Sequence, residues 1–237
     1  MSLLAIEQLD VRHGLLQAVR EISFAIEPGE VIAIVGANGA GKSTLLRAIA
    51  GAHIPTGGRI LFDGEDVTAM RAYQRVAKGI ALVPEGRRLF GDMTVEENLL
   101  VAMRVGRRGY WTLETVMELF PFLRARRRAL AGNLSGGERQ AAAIGRALVT
   151  NPRLVLLDEV SLGLAPIAIE GLYSNMKALL QGGATLLLVE QELTRALSVA
   201  TRLMCMLEGR IALDGRAEDV TRQQIVDAYF GLKRGLA

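Results

Sequence analysis

At 237 residues, half of them hydrophobic, the chain can bury a large core, and a formal net charge of +3 is too small to argue for nucleic acid by itself. No apolar run approaches the roughly 18 residues of a membrane span, and Met1 to Asp10 lacks the basic-then-apolar pattern of a signal peptide. The single cysteine, Cys205, lies in an apolar run, which reads as a core residue in a reducing compartment and excludes an intramolecular disulfide.

In chain order, Leu3 to Leu9, Ile22 to Ile26 and Val31 to Val35 read as short strands divided by polar turns such as Glu27-Pro28-Gly29. A helical run, Leu45 to Ala50, follows. Thr56-Gly57-Gly58 turns into a strand at Arg59 to Phe62, and Asp63-Gly64 marks a hairpin. Ile80 to Val83 is a further buried strand. From Glu96 to Leu130 the texture changes, because apolar residues recur at helical spacing (Leu99, Met103, Val116, Phe120, Leu123) without strand signals. Ser135-Gly136-Gly137 opens a helix expected over Glu138 to Val149. Strands return at Leu154 to Leu157, Ala184 to Val189 and Leu203 to Leu207, with a helix near Ile167 to Leu180 between the first two. Strands alternating with helices predict an α/β fold with a parallel sheet. The helical block, residues 86–150, reads as an insertion in a core built from residues 1–85 and 151–237. Arg124 to Arg128 reads as a solvated helix face rather than a nucleic-acid patch, since aromatics for base stacking are lacking nearby.

The chemistry concentrates in three phrases. Gly36-Ala37-Asn38-Gly39-Ala40-Gly41-Lys42-Ser43-Thr44 lies between an apolar strand and a helix, the order that forms a phosphate cradle. Glycines let successive N–H groups turn toward one point, and the helix N-terminus adds partial positive charge there. Lys42 would reach the β- and γ-phosphates, and the Ser43 hydroxyl would sit on Mg²⁺. The chain is therefore expected to bind a nucleoside triphosphate with Mg²⁺. The second phrase is the buried run Leu154 to Leu157 ending in Asp158-Glu159. Asp158 would hold Mg²⁺ and Glu159 would polarise the attacking water as general base. The third is Leu134-Ser135-Gly136-Gly137-Glu138, an N-cap serine and two glycines ahead of a helix, which makes a separate anion site.

Taken together and in this order, the three phrases resemble the signatures of ATP-binding cassette (ABC) proteins, over essentially the whole chain. The resemblance implies a P-loop NTPase fold with N-terminal antiparallel strands and an inserted helical subdomain. It also implies that two cassettes pair head to tail, Ser135, Gly136, Gly137 and Glu138 of one closing over the γ-phosphate held by the other. The adenine-stacking aromatic of that family falls on His13, a smaller π-platform, the alternative being an exposed loop histidine. Ser161 to Leu164 resembles the loop that touches the partner, with Val160 where most relatives have proline. Two further positions depart from the family: its Mg²⁺-ligating glutamine is Glu85, and its switch histidine is Gln191. Gln191 can donate an amide hydrogen to phosphate but cannot titrate, while Glu85 can ligate Mg²⁺ more strongly at the cost of added negative charge.

Val83 to Phe90, Met93 to Leu99 and Leu188 to Gln191 are similar to the ATPases of branched-chain amino acid importers, the LivF type. The resemblance implies a second, different ATPase, two membrane permeases and, indirectly, an extracytoplasmic binding protein as partners, with no nucleic acid. It places the chain in the cytoplasm, peripheral on the membrane. Leu89 and Phe90 then either form a socket for a permease helix or cap the subdomain core. The alternatives are a related urea or short-amide importer, and a soluble ABC ATPase without a transport role. The latter usually carries two cassettes or a long coiled-coil insertion, neither of which is seen here.

Overall fold

The computed structural model describes residues 2–166, 168–171, 173–174 and 184–232. Backbone packing divides the chain into two units, Met1–Arg71 with Thr185–Ala237, and Ala72–Ala184. Along the first stretch run β1 (Leu4–His13), β2 (Leu16–Ile26), β3 (Val31–Val35), a helix at Lys42–Ile49, β4 (Gly57–Phe62) and β5 (Glu65–Asp66). The second unit carries a helix at Ala72–Lys78, β6 (Ile80–Val83), helices at Val95–Met103, Leu113–Leu119, Pro121–Ala125 and Gly136–Leu148, and β7 (Leu154–Asp158). The chain then returns to the first unit with β8 (Thr185–Val189), a helix at Leu193–Val199, β9 (Arg202–Leu207), β10 (Arg210–Arg216) and a helix at Arg222–Phe230.

In the first unit β2, β1, β4 and β5 form an antiparallel sheet in that order. A second sheet sets β3 between β8 and β9, both parallel to it, with β10 antiparallel on β9. All five residues of β3 are buried, as they are in β8, which is what an uninterrupted apolar run becomes when both faces of a parallel strand are covered. The helix at Lys42–Ile49 buries Leu45, Leu46 and Ile49. Cys205, fully buried on β9, has its thiol pushed up to about 11, by burial first, against the opposing pull of Lys42.

The second unit pairs β6 with β7 in parallel, Val83 opposite Leu157, so both strands end at one level. Its helices start on side-chain caps. Thr94, Thr112 and Ser135 each close a capping box with the third residue onward, Glu97, Thr115 and Glu138. Leu99, Val116, Phe120, Leu123, Ile144 and Leu148 are buried core residues of this unit. Residues 86–150 fall wholly inside the second unit and carry four α-helices, Val95–Met103, Leu113–Leu119, Pro121–Ala125 and Gly136–Leu148. The arginine run caps this region electrostatically: Arg127 pairs with Glu96, and Arg126 Nε lies 3.1 Å from Glu138 Oε1.

The main differences from expectation are of length and omission. β1 continues beyond Leu9 to His13 because Val11, Arg12 and His13 find partners on β2 at Val19, Gln17 and Leu16. The signature helix begins at Gly136, two residues earlier than expected, since Ser135 is its N-cap. Most of the helix expected over Ile167 to Leu180 lies outside the described residues; residues 168–171 are helical.

Candidate functional site

The first unit builds the phosphate cradle between β9 and β2. Val35 ends β3, and the chain turns through Gly36, Gly39 and Gly41, at φ +148°, +82° and +100°. A side-chain carbon on Gly36 would stand 2.3 Å from the Met206 carbonyl oxygen, and one on Gly41 would stand 2.2 Å from that of Ala18. Two distant backbones therefore reserve these positions for glycine, and the loop is pressed between β9 and β2. Gly41 is the N-cap of the Lys42–Ile49 helix, which has no acidic residue in its first turn. Lys42 is 5% exposed, and its ammonium donates to the carbonyls of Gly36 (2.7 Å) and Ala37 (3.0 Å), so the charge lies over the loop itself. A glycine-turned backbone, a helix start and a buried cation are gathered in one short loop, the arrangement that accepts a phosphate chain.

Around this cradle the same unit sets two more of the expected residues. β8 pairs with β3 in register, Val189 opposite Ile34, and the Glu190 N–H donates to the Ile34 carbonyl at 3.2 Å. Gln191, exposed just beyond, is carried to the level of Gly36. His13 sits exposed at the end of β1, with its Nε2 3.1 Å from the hydroxyl of Thr44 in the first turn of the loop helix. Thr44 was a loop residue in the sequence pattern; its contact ties the aromatic position to the cradle.

The acids belong to the second unit. Asp158 ends β7 fully buried, and Glu159 follows half-buried at φ +48°, a left-handed conformation that a non-glycine residue holds only when its surroundings impose it. Glu85 lies exposed two residues beyond β6, at the same end of the strand pair as Asp158. The carboxylates of Asp158 and Glu85 are hard oxygen donors, the ligand type Mg²⁺ takes. The loop that holds Glu85 is anchored by residues the sequence did not single out. Arg87 donates from Nε to Gln140 Oε1 (3.2 Å) and from a terminal nitrogen to the Leu162 carbonyl (3.4 Å). Arg146 in turn donates to the carbonyls of Arg88 (2.7 Å) and Arg87 (3.2 Å). Thus the loop after β6, the signature helix and the Ser161 to Leu164 loop are held together by two arginines. Burial holds both guanidinium pKa values below the usual arginine range, with Arg139 adding to the effect at Arg87.

The signature phrase forms a well-capped helix start. Ser135 Oγ accepts from the Glu138 N–H (3.3 Å), and the Glu138 carboxylate accepts from the Ser135 N–H (2.7 Å) and from Arg126. These bonds, the backbone one first, hold the Glu138 carboxyl below the usual carboxylate range. Gly137 faces Ala168 closely, whereas a side-chain carbon on Gly136 would meet nothing nearer than Leu164 at 3.7 Å. Internal packing does not require glycine at 136. Of the Leu89 and Phe90 pair, Phe90 is 51% exposed with the Arg146 guanidinium 5.9 Å from its ring centre, and its backbone is bonded to the buried Asn98.

A P-loop cradle, an Asp-Glu strand end and a capped Ser-Gly-Gly-Glu helix define a cassette ATPase. Residues 19–161 match the family described as ABC transporter, and the chain belongs to that family. It is similar to the high-affinity branched-chain amino acid transport ATP-binding protein BraG of Pseudomonas aeruginosa, 40% identical over 97% of this chain and all of that one. A probable branched-chain amino acid transport ATP-binding protein, LivF, of Archaeoglobus fulgidus is 33% identical over 92% of this chain and 93% of its own. Among solved structures, the ADP conformation of an ATP-binding cassette of an ABC transporter superposes with a TM-score of 0.83 at 28% identity, covering 98% of this chain and 99% of that one. The chain is an ATP-binding and ATP-hydrolysing subunit, an α/β P-loop ATPase. Among its described residues no helix is long and apolar enough to cross a membrane.

Proposed function

We propose that this ATPase drives a branched-chain amino acid importer, working as a cytoplasmic subunit peripheral to the membrane. The observation that carries the substrate class is the 40% identity to a branched-chain amino acid transport ATP-binding protein over 97% of this chain and all of that one. The transported molecule does not need to touch this subunit, so its identity enters only through the partners.

In this reading the loop N–H groups of residues 36–44 and Lys42 bind the phosphates, and His13 stacks on the base. Mg²⁺, when bound, neutralises charge on the β- and γ-phosphates, and Ser43, Asp158 and Glu85 would hold it. Glu159 takes the proton of the attacking water, and Gln191 donates a neutral amide hydrogen bond to the γ-phosphate. Ser135, Gly136, Gly137 and Glu138 serve the nucleotide of the paired cassette. A side-chain carbon at Gly136 would make only ordinary contacts, with Leu164, Arg87 and Gly163, so the chain's own fold does not demand glycine there, which supports a role toward a molecule outside the chain. The partners are a second ABC ATPase, two permeases and, through them, an extracytoplasmic binding protein. Phe90 and its neighbours on residues 86–150 face the permeases in this assignment.

Glu159→Gln tests the chemistry. It should keep ATP binding, lower turnover by about 10²–10⁴-fold, and accumulate an ATP-bound dimer. Turnover near the wild-type rate would remove Glu159 as the base. The substrate class is tested with the chain reconstituted with its permeases in vesicles. Leucine-loaded binding protein should stimulate ATP hydrolysis; stimulation by a urea- or amide-loaded one instead would reassign the system.

A further inference from the structure

The chain has two histidines, and they touch. The rings of His13 and His53 lie 4.5 Å apart between centroids, inclined at 61°, an edge-to-face arrangement. His13 Nε2 is 3.1 Å from Thr44 Oγ1, in the first turn of the helix that follows the phosphate loop. His53 stands just past the other end of that helix, where its backbone N–H donates to the Arg47 carbonyl at 3.2 Å. Its Nε2 is 3.0 Å from the carbonyl oxygen of Arg12. A carbonyl oxygen only accepts, so the proton of His53 sits on Nε2, and the ring is fixed against β1 one residue before His13.

An exposed side chain at a hairpin tip would ordinarily sample several rotamers, and each one lost on binding weakens affinity. His13 is exposed in this way, beside Leu15 at 98% exposure, yet its ring is braced by Thr44 and by a second imidazole whose ring is tied to the Arg12 carbonyl and whose backbone is tied to that of Arg47. We propose that His53 is a positioning residue of the nucleotide-base site: it holds the His13 ring in the plane that stacks on the base. The proposal rests on His13 being the base platform. It places a specificity element after the loop helix, in the turn His53-Ile54, where the phosphate motif gives no reason to look.

Two probes separate the base from the phosphates: ADP, which has both, and inorganic tripolyphosphate, which has no base. In calorimetric titrations of the full chain, His53→Ala should raise the ADP dissociation constant by about threefold to tenfold, the range of an aromatic pair contact. It should leave the tripolyphosphate constant in place, and the loss should appear in KM for ATP. His53→Phe keeps a ring against His13 and should return ADP affinity to within about twofold of wild type. In the His13→Ala background, His53→Ala should have no further effect, since it acts through that ring. If His13→Ala weakens ADP binding but His53→Ala does not, the positioning role is wrong while the platform stands. If neither matters for ADP, the platform reading itself fails and takes this role with it. A parallel fall in tripolyphosphate affinity, or His53→Phe no better than His53→Ala, would likewise overturn it.

Discussion

Alanine at Gly41 should damage the protein more than alanine at Gly39, and the local geometry sets the size of the gap. Both glycines have positive φ, +100° and +82°, a region that costs a residue bearing a side chain about 1–2 kcal/mol. At Gly39 an added carbon meets nothing within 4 Å, so that strain is the whole cost. At Gly41 the same carbon would stand 2.2 Å from the Ala18 carbonyl oxygen, well inside the 3.0 Å that such carbons keep. The obstacle is the backbone of a paired strand, not a side chain that can turn away. Relieving such an overlap typically adds about 1–3 kcal/mol. In a chain of this size each kcal/mol shifts the melting temperature by roughly 2–4 °C, so the two variants should differ by about 2–12 °C. The same displacement would carry Lys42 off the Gly36 and Ala37 carbonyls, so ADP affinity should fall further in Gly41→Ala. Thermal melts by circular dichroism with and without ADP, and titration calorimetry, measure both effects. Equal melting shifts for the two variants would refute the claim that the Ala18 carbonyl reserves position 41 for glycine.

Gly136→Asp should fold and bind ADP as a monomer, because its first side-chain carbon would meet nothing nearer than 3.7 Å. It should abolish ATP-driven pairing of cassettes in light scattering, and a collapse of monomer ADP affinity would instead place the signature in the pocket of its own chain. The lowered Glu138 carboxyl gives a pH signature. Its folded pKa lies below the unfolded one, so its stabilisation is full above the ordinary carboxylate value and is lost as pH falls through the folded value. Glu138→Gln should therefore flatten the dependence of melting temperature on pH below about pH 5; an unchanged acid limb would show that other carboxylates carry it. Cys205, with its thiol pushed up to about 11, holds roughly one thiolate in 10⁴ molecules at pH 7 and should resist Ellman's reagent until denaturant is added. Rapid labelling of the native protein would mean that β9 opens locally.

The elements that could be read from residues alone are those whose cause is local. Val31 to Val35 is an unbroken apolar run and became a strand buried on every residue. Ser135 with Glu138, three positions on, marks a helix start, and the capping box is present. Elements lacking such a pattern escaped. The helix at Ala72–Lys78 buries Arg75, so no apolar period announces it. β10 alternates between exposed and partly exposed residues and exists because β9 supplies its backbone partners, Ile211 opposite Met206 among them. The anchors of the Glu85 loop were equally silent: an arginine beside a glycine gives no sign that it will reach Gln140, 53 positions away.

By itself the sequence determined the chemistry of this protein: a strand, a phosphate loop and a helix in order, two acids ending an apolar strand, and a capped Ser-Gly-Gly-Glu start. Each is a run of neighbours whose types and spacing fix both local conformation and reactive groups, so no knowledge of distant contacts is needed. Only the tertiary structure decided which of those residues are interchangeable. Gly36 and Gly41 face the carbonyls of Met206 and Ala18 too closely for any side chain, whereas at Gly136 an added carbon would make only ordinary contacts, and the pattern of letters is the same glycine in each case. It also decided which residues stand behind the motifs, setting His53 against His13 and Arg87 against Gln140 and Leu162. Those contacts join segments far apart in the chain, and they form only when strand pairing and helix packing have fixed the distances between them.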